Sequence, residues 1–312
     1  MQDMLDAPQP SLQKIAKGVL VWIGANGNSN AGVIETAEGS VVIDAQQTAQ
    51  LGTQLRVAAE SALDRPITRL VNTHFHLDHT AGNIAFDGVP VLGHERTLSI
   101  MADYLGPSDR GTWNISGLEP KLRLFFGANF NSLVAPGTDG QRWFIDRMTA
   151  PDNDTIALRA PTETFADTFC FETPGDRVKM EYWGPAHSDG DLVIWLEQAK
   201  VAFLGDLMFL GRVPWLGDCD LDGWIARLAR VLLLAVETVV PGHGPVASLQ
   251  DVAEFRNHLV TLRGAVLTAV KAGFSEDAAV AEVSLPEYRH LARYREWMPY
   301  NVRAVYQYLK SI

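Results

Sequence analysis

Short apolar runs alternate with turn-rich polar stretches along most of the chain, and the spacing becomes helical only near its end. Residues 18–23 are apolar and β-branched, and residues 24–32 are rich in Asn and Gly and read as a turn. Residues 33–36 and 40–43 add two strands joined at Glu38 and Gly39, which makes a β-meander. Gly24, Gly27 and Gly32 are not a dinucleotide fingerprint, because no helix follows them at the right place. Residues 48–63 place Leu51, Leu55, Ala58, Ala59 and Ala62 at helical spacing, with Pro66 just beyond. A strand over 67–71, a strand over 89–94 and a helix over 95–104 come next.

Residues 105–150 are less regular and carry Trp113, Phe125, Phe126, Phe130 and Trp143 among many Gly, Pro and Asn. Long insertions in compact domains are usually functional, so these five aromatics are candidates to wall a substrate pocket, or to form a homo-oligomer interface. Strand-like segments then fall at 164–171, 178–183, 192–196 and 201–206, the last ending on Gly205-Asp206. A helix over 222–234 and a strand over 238–240 lead to Pro241-Gly242-His243-Gly244-Pro245. From Ser248, the expected N-cap, Val252, Phe255, Leu259, Leu262, Val266 and Val270 line one face of a long helix that Gly273 ends. Shorter helical pieces are expected around Pro286 and Pro299. No linker sets this tail apart. The expected organisation is a single domain over 1–312, with an aromatic-rich insertion at about 105–160 and C-terminal helices at about 248–312.

Composition narrows the class. A 312-residue chain that is 47% hydrophobic and 20% charged has ample core for a globular protein. Its formal charge of −11 makes nucleic acid a poor partner. No apolar run approaches the ~20 residues of a membrane span. Residues 1–10 carry neither the basic nor the apolar region of a signal peptide, and two cysteines, Cys170 and Cys219, make no disulfide framework. Cytoplasmic residence is the default, and a chain already trimmed of a leader for the periplasm or secretion would read the same. The expected partner is a small-molecule substrate.

The chemistry concentrates at Asn72-Thr73-His74-Phe75-His76-Leu77-Asp78-His79-Thr80. Four metal-capable side chains fall within six residues, in a chain with eight histidines. On a strand, His74 and His76 would share a face, and Asp78 and His79 would follow where the chain turns. Imidazole with carboxylate is a donor set for zinc and similar divalent ions. Asp44 closes the strand 41–43, where a carboxylate can orient a neighbouring histidine. His187, Asp206 and His243 also follow apolar runs and sit among turn residues, where each alone reads as an ordinary loop residue.

Taken in order, His74-x-His76-x-Asp78-His79, His187, Asp206 and His243 resemble the metallo-β-lactamase superfamily. Val41-Val42-Ile43-Asp44, Gly184-Pro185-Ala186-His187, Leu204-Gly205-Asp206 and Pro241-Gly242-His243-Gly244 match its motif blocks, over roughly residues 15–250. The resemblance implies an α/β fold, a four-layer αββα sandwich, here with a helical C-terminal extension. It implies that His74, His76 and His187 hold one metal, that Asp78, His79 and His243 hold a second, that Asp206 bridges them, and that Asp44 orients a ligand. Two Zn2+ are expected, with iron or manganese as substitutes. His94, His258 and His290 are left as structural or surface residues, His94 being the one that could lie near the site.

A bridging Asp is similar to glyoxalase II and to lactonases of this fold, whereas the two main dinuclear groups of true β-lactamases carry Cys or Ser there. The implied activity is a zinc-dependent hydrolase in which a hydroxide shared by two metals attacks an acyl carbonyl of a thioester, lactone or β-lactam, with Asp78 and Asp206 as the catalytic carboxylates. The alternatives are a mononuclear iron oxidoreductase resembling the persulfide dioxygenases, and a phosphoesterase of the same fold.

Overall fold

The computed structural model of the chain describes residues 10–108, 111–117, 119–121, 124, 155–217 and 219–312. The first half builds β1 (Ser11–Ala16), β2 (Val19–Ile23), β3 (Ala31–Glu35), β4 (Ser40–Ile43), α1 (Ala49–Leu63), β5 (Ile67–Val71), α2 (Leu77–Thr80), β6 (Val91–His94), α3 (Glu95–Leu105) and β7 (Thr112–Ser116). The second half builds β8 (Thr155–Arg159), β9 (Glu163–Phe165), β10 (Thr168–Thr173), β11 (Asp176–Tyr182), β12 (Leu192–Leu196), β13 (Val201–Phe209), α4 (Leu221–Val231), β14 (Thr238–His243), α5 (Leu249–Lys271), α6 (Glu276–Glu282) and α7 (Tyr294–Ser311).

Two sheets carry the architecture. One runs β1-β2-β3-β4-β5-β6-β9, the other β10-β11-β12-β13-β14, and β7 pairs with β8 apart from both. The two-residue period of the strands decides the layers. In β2, Val19 and Val21 join Ile34, Val41, Ile43 and, from the other sheet, Met180, Ile194, Phe203 and Val240 in one core between the sheets. Leu20 and Trp22, one residue out of phase, pack with Leu55 and Ala59 of α1 on the outer face. The second sheet turns Trp195, Ala202 and Leu204 outward onto Trp224 and Leu228 of α4, Leu259 and Leu262 of α5 and Trp297 of α7. The order is helix, sheet, sheet, helix, as the resemblance implied, and the C-terminal helices share a core with the second sheet. Among the described residues no helix is long and apolar enough to cross a membrane.

Several elements differ from the sequence pattern. The apolar stretch at 164–171 is two strands, because the chain crosses at Ala166 and Asp167 from β9 in one sheet to β10 in the other. Strand β13 runs on to Phe209, so Asp206 lies within a buried strand rather than in a loop after it. Pro299 lies inside the 18-residue α7 and does not end it. Its position six residues into the helix costs one backbone hydrogen bond, which burial of Trp297, Met298, Tyr300 and Val302 offsets. The weakly patterned Ser11–Ala16 adds an edge strand.

Of the aromatics expected around a pocket, Phe125, Phe126, Phe130 and Trp143 lie outside the described residues. Trp113 is a core residue: it is 7% exposed, packs with Phe75, Leu77 and Met101, and its indole N–H donates to Gly106 O at 2.9 Å.

His258 is also a core residue, at 2% exposure on α5, and both its ring nitrogens lack a hydrogen-bond partner. Burial pushes it down to about 4 from 6.5. Between those values the unfolded chain binds a proton that the folded chain does not, so stability falls as pH falls below 6.5. His258→Leu removes the penalty. Its stability relative to the parent is expected to rise by roughly 2 kcal/mol between pH 7 and pH 5. Denaturant titrations at the two pH values read this directly, and an unchanged gap refutes a buried neutral imidazole.

Candidate metal centre

Seven side chains converge from the bend after β5, the turn α2, the loop between β11 and β12, the middle of β13 and the end of β14. His74, His76, His187 and Asp206 form one group and Asp78, His79, Asp206 and His243 a second, with donor atoms within 4.8 Å of one another in each. All seven residues are buried. Asp206 belongs to both groups because its two oxygens face opposite ways. Oδ2 lies 3.4 Å from His187 Nε2 and 3.9 Å from His74 Nε2. Oδ1 lies 3.1 Å from His79 Nε2 and 3.4 Å from His243 Nε2. Asp78 Oδ2 closes the second group, 3.1 Å from His243 Nε2.

The local chain geometry is not the strand expected for His74 and His76. β5 ends at Val71, and the two histidines stand in the bend between it and α2. They still converge, with ring centroids 4.7 Å apart, because His76 is the residue that caps α2 and Asp78 and His79 form its single turn.

A relay through Asp44 sets the tautomers. Thr73 N–H donates to Asp44 Oδ1 at 2.8 Å, and Thr73 Oγ1 donates to Oδ2 at 2.7 Å. With its proton so committed, Thr73 Oγ1 accepts from His74 Nδ1 at 3.1 Å. His79 Nδ1 donates to Asp44 Oδ2 at 2.8 Å. One carboxylate therefore turns the Nε2 of an imidazole from each group toward Asp206. Such partners orient ligands and raise their basicity. Asp44 holds its place in the left-handed region, at φ 62°, and so does Gln46, at φ 73°. Strained backbone of this kind costs on the order of 1–3 kcal/mol and persists where the surroundings dictate it.

The loop between β2 and β3 stitches the two sheets together at the same edge. Asn30 N donates to Gly242 O at 2.7 Å, and its side chain donates to Pro241 O and Gly244 O. Ser29 Oγ donates to Asp78 O, and Gln46 Nε2 to Ser29 O at 2.9 Å. His243 Nδ1 donates to Gly27 O at 3.0 Å, leaving Nε2 for the centre. The sequence signal for Ser29, Asn30 and Gln46 was only loop composition, since their partners are 17 to 214 positions away.

The charge states follow from burial and neighbours. Burial, reinforced by the surrounding imidazoles, holds His74 well below its ordinary value, His76 near 3 and His187 near 4. These three are neutral donors at pH 7. Burial opposes charge on His79 and His243 too, but Asp206 and the other carboxylates prevail and raise both. Burial would raise Asp206 and Asp78, and the adjacent imidazoles lower them instead. The donor set fits divalent cations: five imidazoles and two carboxylates, with His74 Nε2 and His79 Nε2 buried and without hydrogen-bond partners.

The remaining histidines stay outside both groups. His94 caps α3 and stacks on Tyr182 with centroids 3.9 Å apart, and His290 is exposed.

Comparison with known proteins agrees with this geometry. A family model described as the metallo-beta-lactamase superfamily matches residues 24–243. A linear primary-alkylsulfatase of Pseudomonas sp. (strain ATCC 19151) is 23% identical over 296 residues, covering 88% of this chain and 54% of that protein. The human acyl-coenzyme A thioesterase MBLAC2 is 25% identical over 199 residues, covering 61% of this chain and 60% of that protein. The solved structure of the stereoselective inverting sec-alkylsulfatase Pisa1 from Pseudomonas sp. superposes with a TM-score of 0.67 at 17% identity, over 96% of this chain and 50% of that one. The chain thus spans little more than half the length of the curated relatives it matches.

Proposed function

The chain belongs to the metallo-beta-lactamase superfamily, and from that we propose that it is a hydrolase whose centre holds two divalent cations, zinc by default. His74, His76 and His187 would hold one, Asp78, His79 and His243 the other, and Asp206 would bridge them. One observation carries the reading: the two oxygens of Asp206 face the two ligand groups separately. A pair of such cations supplies an activated water at neutral pH and a Lewis acid for the scissile bond. The chain's own residues supply the rest. Asp44 and Thr73 hold the imidazole tautomers, and Asp78 lies on the second group's side, where it can orient a nucleophile. Ser29 Oγ donates to Asp78 O and Ser188 Oγ to Asp191 Oδ1, and the reading needs neither as a nucleophile.

Acyl esters, thioesters and lactones are the first substrate class, supported by the bridging Asp and by the thioesterase relative. Sulfate-ester hydrolysis is the second reading, favoured by the breadth of the match to the alkylsulfatases, which cover 88% and 96% of this chain. The zinc-loaded protein should be assayed on acyl-coenzyme A and acyl-glutathione thioesters, acyl-homoserine lactones, a chromogenic cephalosporin, alkyl sulfates and bis-phosphodiesters, with metal content measured alongside. Two zinc per chain and turnover of a thioester or lactone is the expected result. Turnover of alkyl sulfates alone selects the second reading. One iron per chain with oxygen consumption overturns both.

A further inference from the structure

Arg212 lies three residues beyond the end of β13, and nothing in the motif blocks points to it. Its backbone is fixed to the segment before α7: Ala292 N donates to Gly211 O and Val213 N to Ala292 O, both at 3.0 Å. Its side chain turns back toward the metal centre. Nη1 donates to Gly27 O at 2.9 Å and stands 3.2 Å from His243 Nδ1. The guanidinium carbon lies 4.3 Å from the ring centroid of Trp297 and 5.6 Å from that of Phe209. Phe209 in turn stacks flat on His243, centroids 5.3 Å apart at 8°.

No carboxylate lies within 4 Å of this guanidinium among the described residues, and its Nε is buried without a partner. A cation so placed, on the same side as a second cation site, is not explained by an ion pair. Its hydrogen bond explains it. Gly27 ends a one-turn 3-10 segment with φ 78°, outside either sheet's ladder. Its carbonyl receives two donors, His243 Nδ1 and Arg212 Nη1. The first of these fixes the His243 tautomer, and the second holds the carbonyl where that bond can form.

We propose that Arg212 is a positioning residue for the second cation site: through Gly27 O it aims His243 Nε2 at Asp78 and Asp206, and through Trp297 it ties that site to the C-terminal helix α7. The inference rests on the two-cation reading. It singles out one half of the centre, because His243 belongs to the second group alone, whereas His74 of the first group is anchored through Thr73 and Asp44. Removal of such supporting hydrogen bonds typically costs roughly 10–100-fold in metal affinity.

The test is zinc titration of chelator-stripped protein against a chromophoric competitor, with metal counted after gel filtration. The parent is expected to take up two equivalents. Arg212→Met should keep the first at parental affinity and bind the second roughly 10–100-fold more weakly. Arg212→Lys should recover part of the loss, since its ammonium can still donate to Gly27 O; it should not recover all, because the planar stack on Trp297 is gone. Trp297→Leu should weaken the same second equivalent, and serves if Arg212→Met does not fold. Two equivalents at parental affinity in the variants, or equal weakening of both, overturns the proposal. A parent that takes up fewer than two equivalents refutes the two-cation reading instead.

Discussion

Asp206→Ala is expected to lower hydrolysis by about a thousandfold or more, and to reduce bound metal below two equivalents. The carboxylate faces four imidazoles, with His79 at 3.1 Å, His187 and His243 at 3.4 Å and His74 at 3.9 Å. Removing it takes one donor from each group at once. Lewis-acid stabilisation by bound cations is worth several kcal/mol, and about 4 kcal/mol corresponds to roughly 10³ in rate. The substitution also changes the stripped protein. Asp206 is the leading raising influence on His79 and on His243, so in its absence burial favours their neutral forms. The imidazole proton signals of these residues should therefore shift to lower pH in the stripped variant. Steady-state kinetics and metal content measured on one preparation decide the main point. A variant with full activity and two bound equivalents would falsify the bridging role.

Gly242→Ala should be nearly as damaging, although it deletes no donor. A Cβ at this position would stand 1.9 Å from Asp206 Oδ1, 2.7 Å from Gly205 C and 2.9 Å from Asp206 N. The latter two are backbone atoms of a buried strand and cannot swing aside. Either the Asp206 carboxylate leaves its position, or β13 and β14 separate. Overpacking of this kind typically costs roughly 1–3 kcal/mol of stability. The effect on the centre should exceed the effect on the fold, because Oδ1 is the oxygen turned to His79 and His243. A drop of roughly 100-fold in activity is expected with a modest loss in thermal midpoint, since a 1 Å displacement near the chemistry can cost about that much. Gly264→Ala is the control: nothing lies within 4 Å of its Cβ, and it sits inside α5. That change should leave activity intact and stabilise the helix by about 0.5–1 kcal/mol.

The candidate site was legible in the sequence to the extent that its donors stand in short motifs. His74, His76, Asp78 and His79 lie within six residues, and no other packing of so many imidazoles is needed to suspect a cation. The layer architecture was legible in the phase of short strands: Val19 and Val21 against Leu20 and Trp22 already state which side faces which layer. The strand boundaries were less so. Residues 164–171 read as one strand because apolar content does not mark where a chain leaves one sheet for the other. His74 and His76 read as strand neighbours because a two-residue spacing looks the same in a bend. Asp206 read as a loop residue because Gly205 before it resembles a turn. It lies inside β13 and owes its usable position to the close approach of Gly242.

What the sequence by itself determined is therefore the chemistry of the donors and the alternation that builds two stacked sheets with helices outside. Both depend on residue type and short-range period, which a linear chain carries in full. What only the tertiary structure decided is how the donors are aimed. Asp44 serving a histidine of each group, Asn30 holding the end of β14, and Arg212 reaching Gly27 O are contacts between residues 29 to 214 positions apart. The physical reason is that a hydrogen bond is specified by direction as well as by partner. Direction is set by how the two sheets and the C-terminal helices pack, and no local pattern in the chain records that.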